Sequence, residues 1–328
     1  MRLLSKKEWE IYQSKIKNPH ILQTYRWGEL KSNFGWKPYR ILIQEKPIQI
    51  LFRKLPLNFT IAYLPKINLD IKNVEMWSEI DEFCKTKKSI FLKYEPDEFG
   101  DYNLQTHLPK IFEIGKSIQP QRTIVVDLNG SEDDWLNRMK SKTRYNIRLA
   151  KKKEIRIVQS DDIDTFYELM INTSERDNFG VHSKQYYQLA YTLFEENQNV
   201  ALLLAYYKDE PLAGLMVFKS GERSWYFYGA SNNKERNRMP TYLLQFEAMR
   251  WAKSHGCKMY DLWGIPDEDE DVLEAKFDKR SDGLWGVYRF KRGFGGEIIK
   301  SAPALDRIYN PLLYKAILWY QKIRGNLM

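Results

Sequence analysis

One pattern of elements occurs twice along this 328-residue chain. It is a hairpin of alternating strands, a third strand, an amphipathic helix and a further strand. In the first copy, helical spacing covers residues 9–17 and 27–34, and residues 39–44 and 48–53 alternate around Glu45-Lys46-Pro47. Residues 59–64 form the third strand, Trp77, Ile80 and Phe83 mark a helix over 74–84, and a β run covers 89–94. A strand over 122–128 follows Pro120. In the second copy, helices over 161–172 (capped by Asp161 or Asp162) and 183–195 precede a hairpin, 200–208 with 211–219, turning at Asp209-Glu210. A strand over 223–229, a helix over 241–255 closed by Gly256 and a strand over 259–262 complete it. Residues 288–290 and the stretch through 299 read as the last β elements. After Asn310-Pro311 a final helix carries Leu312, Leu313, Ala316, Ile317, Tyr320 and Ile323.

Two similar mixed α/β units are expected. The division is expected at residue 150, with 1–150 completed by the C-terminal segment 300–328, and 151–299 as the second unit. The connection is a basic run, not a Gly/Ser tether, so a fixed pair of units is expected. The apolar stretches are too short to span a bilayer, and the N-terminus turns charged before a signal-peptide core forms, which points to the cytoplasm. Cys84 and Cys257 are too few for a disulfide framework or a cysteine-rich zinc site and are expected on buried helix faces. His20, His107, His182 and His255 show no metal-ligand spacing. No cofactor is expected. A formal charge of +9, from 52 Lys and Arg against 43 Asp and Glu, favours anionic partners such as nucleic acid, nucleotide diphosphates or a membrane surface.

The order of residues 200–262 is that of a GNAT-type acyltransferase, an enzyme class that holds the diphosphate of its acyl-CoA on a glycine-rich turn at a helix N-terminus. Here the turn runs from Ala230 to Pro240 with no glycine after Gly229, so acetyl-CoA is disfavoured.

The runs Tyr260-Asp261-Leu262-Trp263-Gly264-Ile265-Pro266, Phe290-Lys291-Arg292-Gly293-Phe294-Gly295-Gly296 and Tyr309-Asn310-Pro311 strongly resemble the FemABX family. So do Gln23-Thr24-Tyr25-Arg26-Trp27-Gly28-Glu29-Leu30-Lys31 and Trp225-Tyr226-Phe227-Tyr228-Gly229-Ala230. The resemblance covers nearly the whole chain. It implies two tandem GNAT-like domains and transfer of an amino acid from aminoacyl-tRNA to the stem-peptide amine of a peptidoglycan precursor, either lipid II or UDP-MurNAc-pentapeptide. It also implies a catalytic role for Lys291, next to Phe290, in stabilising the charge that develops as the ester carbonyl is attacked. Lys31 matches a family lysine at the diphosphate of the UDP-linked precursor, and Tyr94, Tyr186 and Tyr228 match tyrosines that face the same substrate. Where a soluble-precursor enzyme offers a second phosphate-binding arginine, this chain has Gly180-Val181-His182-Ser183-Lys184. His182 or Lys184 would have to replace that arginine without its bidentate fork, with Arg176 upstream to compensate, so the carrier stays open. The chain has no heptad run between Thr241 and Phe290 and resembles compact members without a coiled-coil arm, which are monomers.

The basic segment 140–153 reads as a helix on which Lys140, Lys142, Arg144, Arg148, Lys151 and Lys152 grip tRNA phosphates, or else as a solvated helix between units. The acidic run 267–271 lacks EF-hand spacing and reads as a solvated loop. No His–Asp or Cys–His pair presents itself as a base, so the substrate or a water is expected to take the proton. Two other readings stay open. One is a non-catalytic protein that binds tRNA or the inner membrane surface, aided by Lys315, Lys322 and Arg324 on the last helix; the other is a CoA-dependent N-acyltransferase with an unusual diphosphate cradle.

Overall fold

The computed structural model describes residues 1–100, 108–177 and 179–324; His107 and the side chains of Ile323 and Arg324 lie outside the described residues. The chain is α/β and forms two units. The first comprises residues 1–121 and 300–328, the second 122–299.

The first unit begins with β1 (Arg2–Leu3), α1 (Lys6–Gln13), α2 (Tyr25–Ser32), β2 (Trp36–Ile43), β3 (Lys46–Lys54), β4 (Thr60–Pro65), α3 (Val74–Thr86), β5 (Ser89–Glu95) and β6 (Glu113–Gly115). The second holds β7 (Arg122–Asp127), α4 (Glu132–Arg138), α5 (Ser141–Lys152), β8 (Ile155–Ser160), α6 (Ile163–Asp177) and α7 (Lys184–Glu195). It continues with β9 (Val200–Tyr207), β10 (Glu210–Ser220), β11 (Arg223–Ser231), α8 (Pro240–Ser254), β12 (Met259–Ile265), α9 (Glu270–Lys276), α10 (Trp285–Lys291) and β13 (Glu297–Lys300). The chain then returns to the first unit as β14 (Ala304–Ile308) and α11 (Pro311–Arg324).

Each unit has a seven-stranded sheet, ordered β1-β2-β3-β4-β5-β14-β6 in the first and β13-β7-β12-β11-β10-β9-β8 in the second. In both, an antiparallel hairpin is followed by a strand, a helix and a strand that pairs parallel: β4 with β5 around α3, β11 with β12 around α8. This is the GNAT-like layout. The helix between the parallel strands buries an apolar stripe, Met76, Trp77, Ile80, Phe83 and Cys84 on α3, and Leu243, Leu244, Phe246, Ala248, Met249 and Ala252 on α8.

The units divide at residue 121, not at 150. β7 pairs antiparallel with β12, and α4 and α5 follow it into the second core through Trp135, Ile147 and Ala150, so the basic segment is part of a unit and not a link between two. A second correction concerns residues 288–290, expected as strand. Trp285 and Tyr288 are buried one helical turn apart, and the segment lies within α10. Asp162, of the two expected caps, accepts from the Thr165 amide. Cys84 is buried on α3, whereas Cys257 is buried in the loop after α8. On α11, Tyr314 and Ile317 turn inward, while Leu312 is 82% exposed.

Candidate active site around Lys291

β11 and β12 pair only from Arg223 with Met259 to Trp225 with Asp261. Beyond that point each strand carries a bulge. On β11 the register with β10 shifts around Phe227, and on β12 the register with β7 shifts between Asp261 and Gly264. Bulges twist a strand and end its pairing, so the parallel pair opens here. The matching pair of the first unit stays paired from Thr60 to Pro65. Trp263, inside the β12 bulge, has φ +61°, a left-handed conformation that costs a bulky side chain energy and is found at functional positions.

Lys291 ends α10 and reaches this opening. It is 5% exposed, and its Nζ donates to the carbonyls of Gly264 at 2.8 Å and Trp263 at 3.1 Å. The Tyr226 ring lies 5.6 Å from Nζ. Burial drives the lysine pKa down to about 7, opposed by the nearby Asp261. Burial likewise raises the Asp261 carboxyl, opposed by hydrogen bonds from Thr123 and the Trp263 amide. Residues after Lys291 fasten α10 to the unit. Arg292 forms a two-point ion pair with Glu274, which also accepts from Tyr288 and Lys140 and is held down to about 2, chiefly by Arg292. The glycines of the motif serve packing. A Cβ on Gly296 would meet the Val125 carbonyl oxygen at 2.7 Å, and Gly295 turns at φ +76° against the backbone of Arg138 and Met139. Phe290, expected beside the chemistry, is half-buried and packs edge-on against Tyr242 and Phe294, each at 5.0 Å; it positions α10.

A second cluster lies farther along β11. His182 stacks on Tyr186 at 3.9 Å, the Tyr186 and Tyr228 hydroxyls are 3.1 Å apart, and Tyr187 packs on Tyr228 at 5.2 Å. The Tyr187 hydroxyl accepts from the His182 amide, and burial pushes it up to about 12. Phe227 connects the two clusters, 6.1 Å from Tyr228 and 4.7 Å from Trp263. Arg176 donates to the Ser231 carbonyl at the end of β11 and pairs with Asp177, and Lys184 is exposed and paired with Asp164. The structure thus brings His182, Tyr186 and Tyr228 together, while Lys184 is exposed on its ion pair with Asp164.

Lys31 and Tyr94 belong to the first unit. Lys31 is half-buried with Nζ 4.9 Å from the Trp27 ring. Tyr94 corrects its expectation as a substrate-facing residue. It is fully buried, its hydroxyl bonds the Leu69 amide at 3.0 Å, and its ring packs on Trp77 at 5.2 Å. A strand buried on both faces leaves no solvent side for that phenol.

The basic segment divides by helical face. Thr143, Asn146, Ile147 and Ala150 of α5 are buried, while Lys142, Tyr145, Arg148 and Lys152 form an exposed stripe. Lys140 is paired with Glu274, Arg144 donates to the Leu136 and Met139 carbonyls, and Lys151 lies 5.4 Å from the Phe246 ring. The acidic run is an anchor as well as a loop, since Asp267 and Asp269 both pair with Arg122. The N-terminus of α8 is entered through Met239 at φ +56° with Pro240 at its first turn, so it lacks an amide where a diphosphate would need one. A cavity of about 910 Å³ lies among α4, α8 and β8; Lys151 alone of the candidate residues lines it.

Asp261, Trp263, Tyr226 and Tyr187 escaped assignment from sequence. A charged residue between Tyr260 and Leu262 in an apolar strand was the available signal for Asp261.

The chain is 26% identical to the lipid II:glycine glycyltransferase of Staphylococcus aureus, over 96% of this chain and 94% of the relative. That alignment runs to 404 positions, more than the 328 residues here, so the relative carries segments this chain lacks. The crystal structure of FemX superposes with a TM-score of 0.81 at 23% identity, covering 97% of this chain and 99% of that one. L-PGS from Bacillus licheniformis shares the fold more distantly, with a TM-score of 0.59 at 10% identity over 99% of this chain and 98% of that one. The FemAB family model matches residues 104–208 and 203–322, most of the chain, and the protein belongs to the FemAB family.

Proposed function

We propose that the protein is an aminoacyltransferase that moves an amino acid from aminoacyl-tRNA to the stem-peptide amine of a peptidoglycan precursor. The observation that carries the reading is Lys291, buried on two carbonyls where β11 and β12 part, in a FemAB chain. The deprotonated amine attacks the ester carbonyl carbon, a C–N bond forms, and the carbonyl oxygen becomes an oxyanion. An ammonium at Lys291 gives two of its three N–H donors to carbonyls and has the third for that oxyanion. Substrate or water accepts the proton of the attacking amine and passes it to the ribose oxygen as collapse breaks the C–O bond, so the tRNA leaves with a free hydroxyl. In this reading the half-buried Tyr228 phenol, bonded to that of Tyr186, which is 2% exposed, donates to sugar, phosphate or peptide oxygens, with His182 beside it and Arg176 at the end of β11. Lys31 serves as a point charge for phosphate, and Lys142, Arg148 and Lys152 serve the tRNA backbone.

The acceptor read here is lipid-linked, like that named for the staphylococcal relative, which requires contact with a membrane surface. α11 supports such contact: Leu312, Trp319, Leu318 and Tyr320 are exposed on a helix that has Lys315 and Lys322 and no acidic residue, so apolar and cationic groups are both offered to an anionic lipid surface. Among the described residues, no helix is long and apolar enough to cross a membrane.

The test is transfer of radiolabelled glycine, alanine or serine from charged tRNA to lipid II or UDP-MurNAc-pentapeptide in parallel. Transfer to lipid II supports the reading, and transfer to the soluble precursor alone would overturn the lipid-linked part. No transfer to either, from folded protein, would overturn the function. Co-sedimentation with phosphatidylglycerol vesicles, abolished by Leu312→Glu with Trp319→Glu, tests α11; unchanged sedimentation of that variant would refute its role.

A further inference from the structure

Asp261 is 6% exposed in the middle of β12, between the fully buried Tyr260 and Leu262. An apolar residue there would avoid the desolvation of a carboxylate, so the carboxylate has to be explained by what it holds. Its Oδ1 accepts the Trp263 amide at 2.7 Å and the Thr123 hydroxyl from β7. A carboxylate bonded to the amide two residues on closes an Asx turn, a local alternative to extended strand. That turn is where Trp263 adopts φ +61° and where the β12–β7 register slips. The carbonyls of Trp263, inside the slip, and of Gly264, at its end, are the two that receive Lys291 Nζ.

We propose that Asp261 is a positioning residue for Lys291: by fastening the left-handed turn at Trp263, it aims the two carbonyls that hold the lysine at the opening of the β11–β12 pair. Thr123, on the neighbouring strand, holds the carboxylate in turn. Without the Asx turn, Trp263 relaxes toward extended strand, the carbonyls rotate away, and the lysine loses its seat. The inference rests on the reading of Lys291 as the group that stabilises the oxyanion.

The experiment is steady-state transfer kinetics on the full chain with Asp261→Asn, Asp261→Ala, Lys291→Met and the Asp261→Ala/Lys291→Met double variant. Each variant's fold is checked by thermal unfolding. Asparagine keeps an acceptor oxygen for the Trp263 amide but removes the charge that opposes the lowered lysine pKa, so kcat is compared below about pH 6, where most of it is expected to be retained. Alanine is expected to lose about tenfold to a hundredfold in kcat, the scale of a misplaced catalytic group, with KM little changed. In the Lys291→Met background, Asp261→Ala is expected to add no further loss, because both changes act through one group. Additive losses, or a KM change as large as the kcat change, would overturn the proposal. Where the alanine variant fails to fold, Asp261→Asn decides alone, and a loss matching that of Lys291→Met overturns the positioning role. Full activity of Lys291→Met would instead overturn the underlying reading of the lysine.

Discussion

Replacing Lys291 by methionine should change how the stability of the protein depends on pH, by an amount set by the burial of the side chain. The folded chain holds this lysine near pKa 7, while an unfolded chain holds it near the ordinary value of about 10.4. Through that window the unfolded state carries a proton that the folded state does not, so the lysine's contribution makes stability rise with pH. Between about pH 7 and about pH 9 the rise amounts to roughly 2 kcal/mol for the wild type relative to the methionine variant. The comparison cancels the titrating groups that Lys291 does not influence, Asp261 being coupled to it, and the pH-independent cost of leaving the Trp263 and Gly264 carbonyls without their donor. Urea unfolding at several pH values, followed by tryptophan fluorescence, supplies the two curves; Trp225, Trp263 and Trp285 lie in the same unit. A wild-type curve that gains on the methionine curve as pH rises supports a buried lysine that is neutral in the folded state above about pH 7. Parallel curves would refute that reasoning. In its proposed role as an ammonium, the same lysine should turn the rise of transfer activity with pH, set by the free fraction of the attacking amine, into a plateau above about pH 7, while any residual activity of the methionine variant keeps rising. The proposed role asks for the charged form that the fold resists.

Alanine at Lys142, Arg148 and Lys152 together should flatten the salt dependence of tRNA binding, by up to about 0.9 in the log–log slope for each phosphate no longer neutralised, as read by filter binding. Alanine at Arg144, which holds the end of α4, should lower thermal stability and leave that slope unchanged. Tyr94→Phe should cost about 1 kcal/mol of stability by removing its hydrogen bond to Leu69, with KM for the precursor unaltered; a raised KM would return the tyrosine to the substrate. Gly296→Ala should destabilise by about 1–3 kcal/mol in urea unfolding, because its Cβ would press on the backbone of β7 at Val125.

Periodicity and turn chemistry are local, and they were enough to locate the repeated hairpin, strand, helix and strand, because each element's apolar spacing reports its own face. The motif around Lys291 was equally legible, since its residues are neighbours in sequence. Its secondary structure was not. A seven-residue segment with two buried aromatics three apart is too short for periodicity to separate strand from helix, and packing against α9 and β12 decided it. The division of the chain at residue 121 was also non-local, because the strand over 122–127 finds its partner, β12, more than a hundred residues later. Which cations of α5 are exposed and which are spent on Glu274 and on carbonyls depends on partners distant in sequence or in another helix. The same holds for Tyr94, matched to a family tyrosine by sequence and turned into the core by a strand covered on both faces. Sequence by itself determined the repeat, the types of its repeated elements and the residues of the motif around Lys291. Only the tertiary structure decided that two bulges part β11 from β12 and that Asp261, Trp263 and Gly264 form a seat for Lys291, because hydrogen bonds between strands and across a bulge are set by register, which no local pattern specifies.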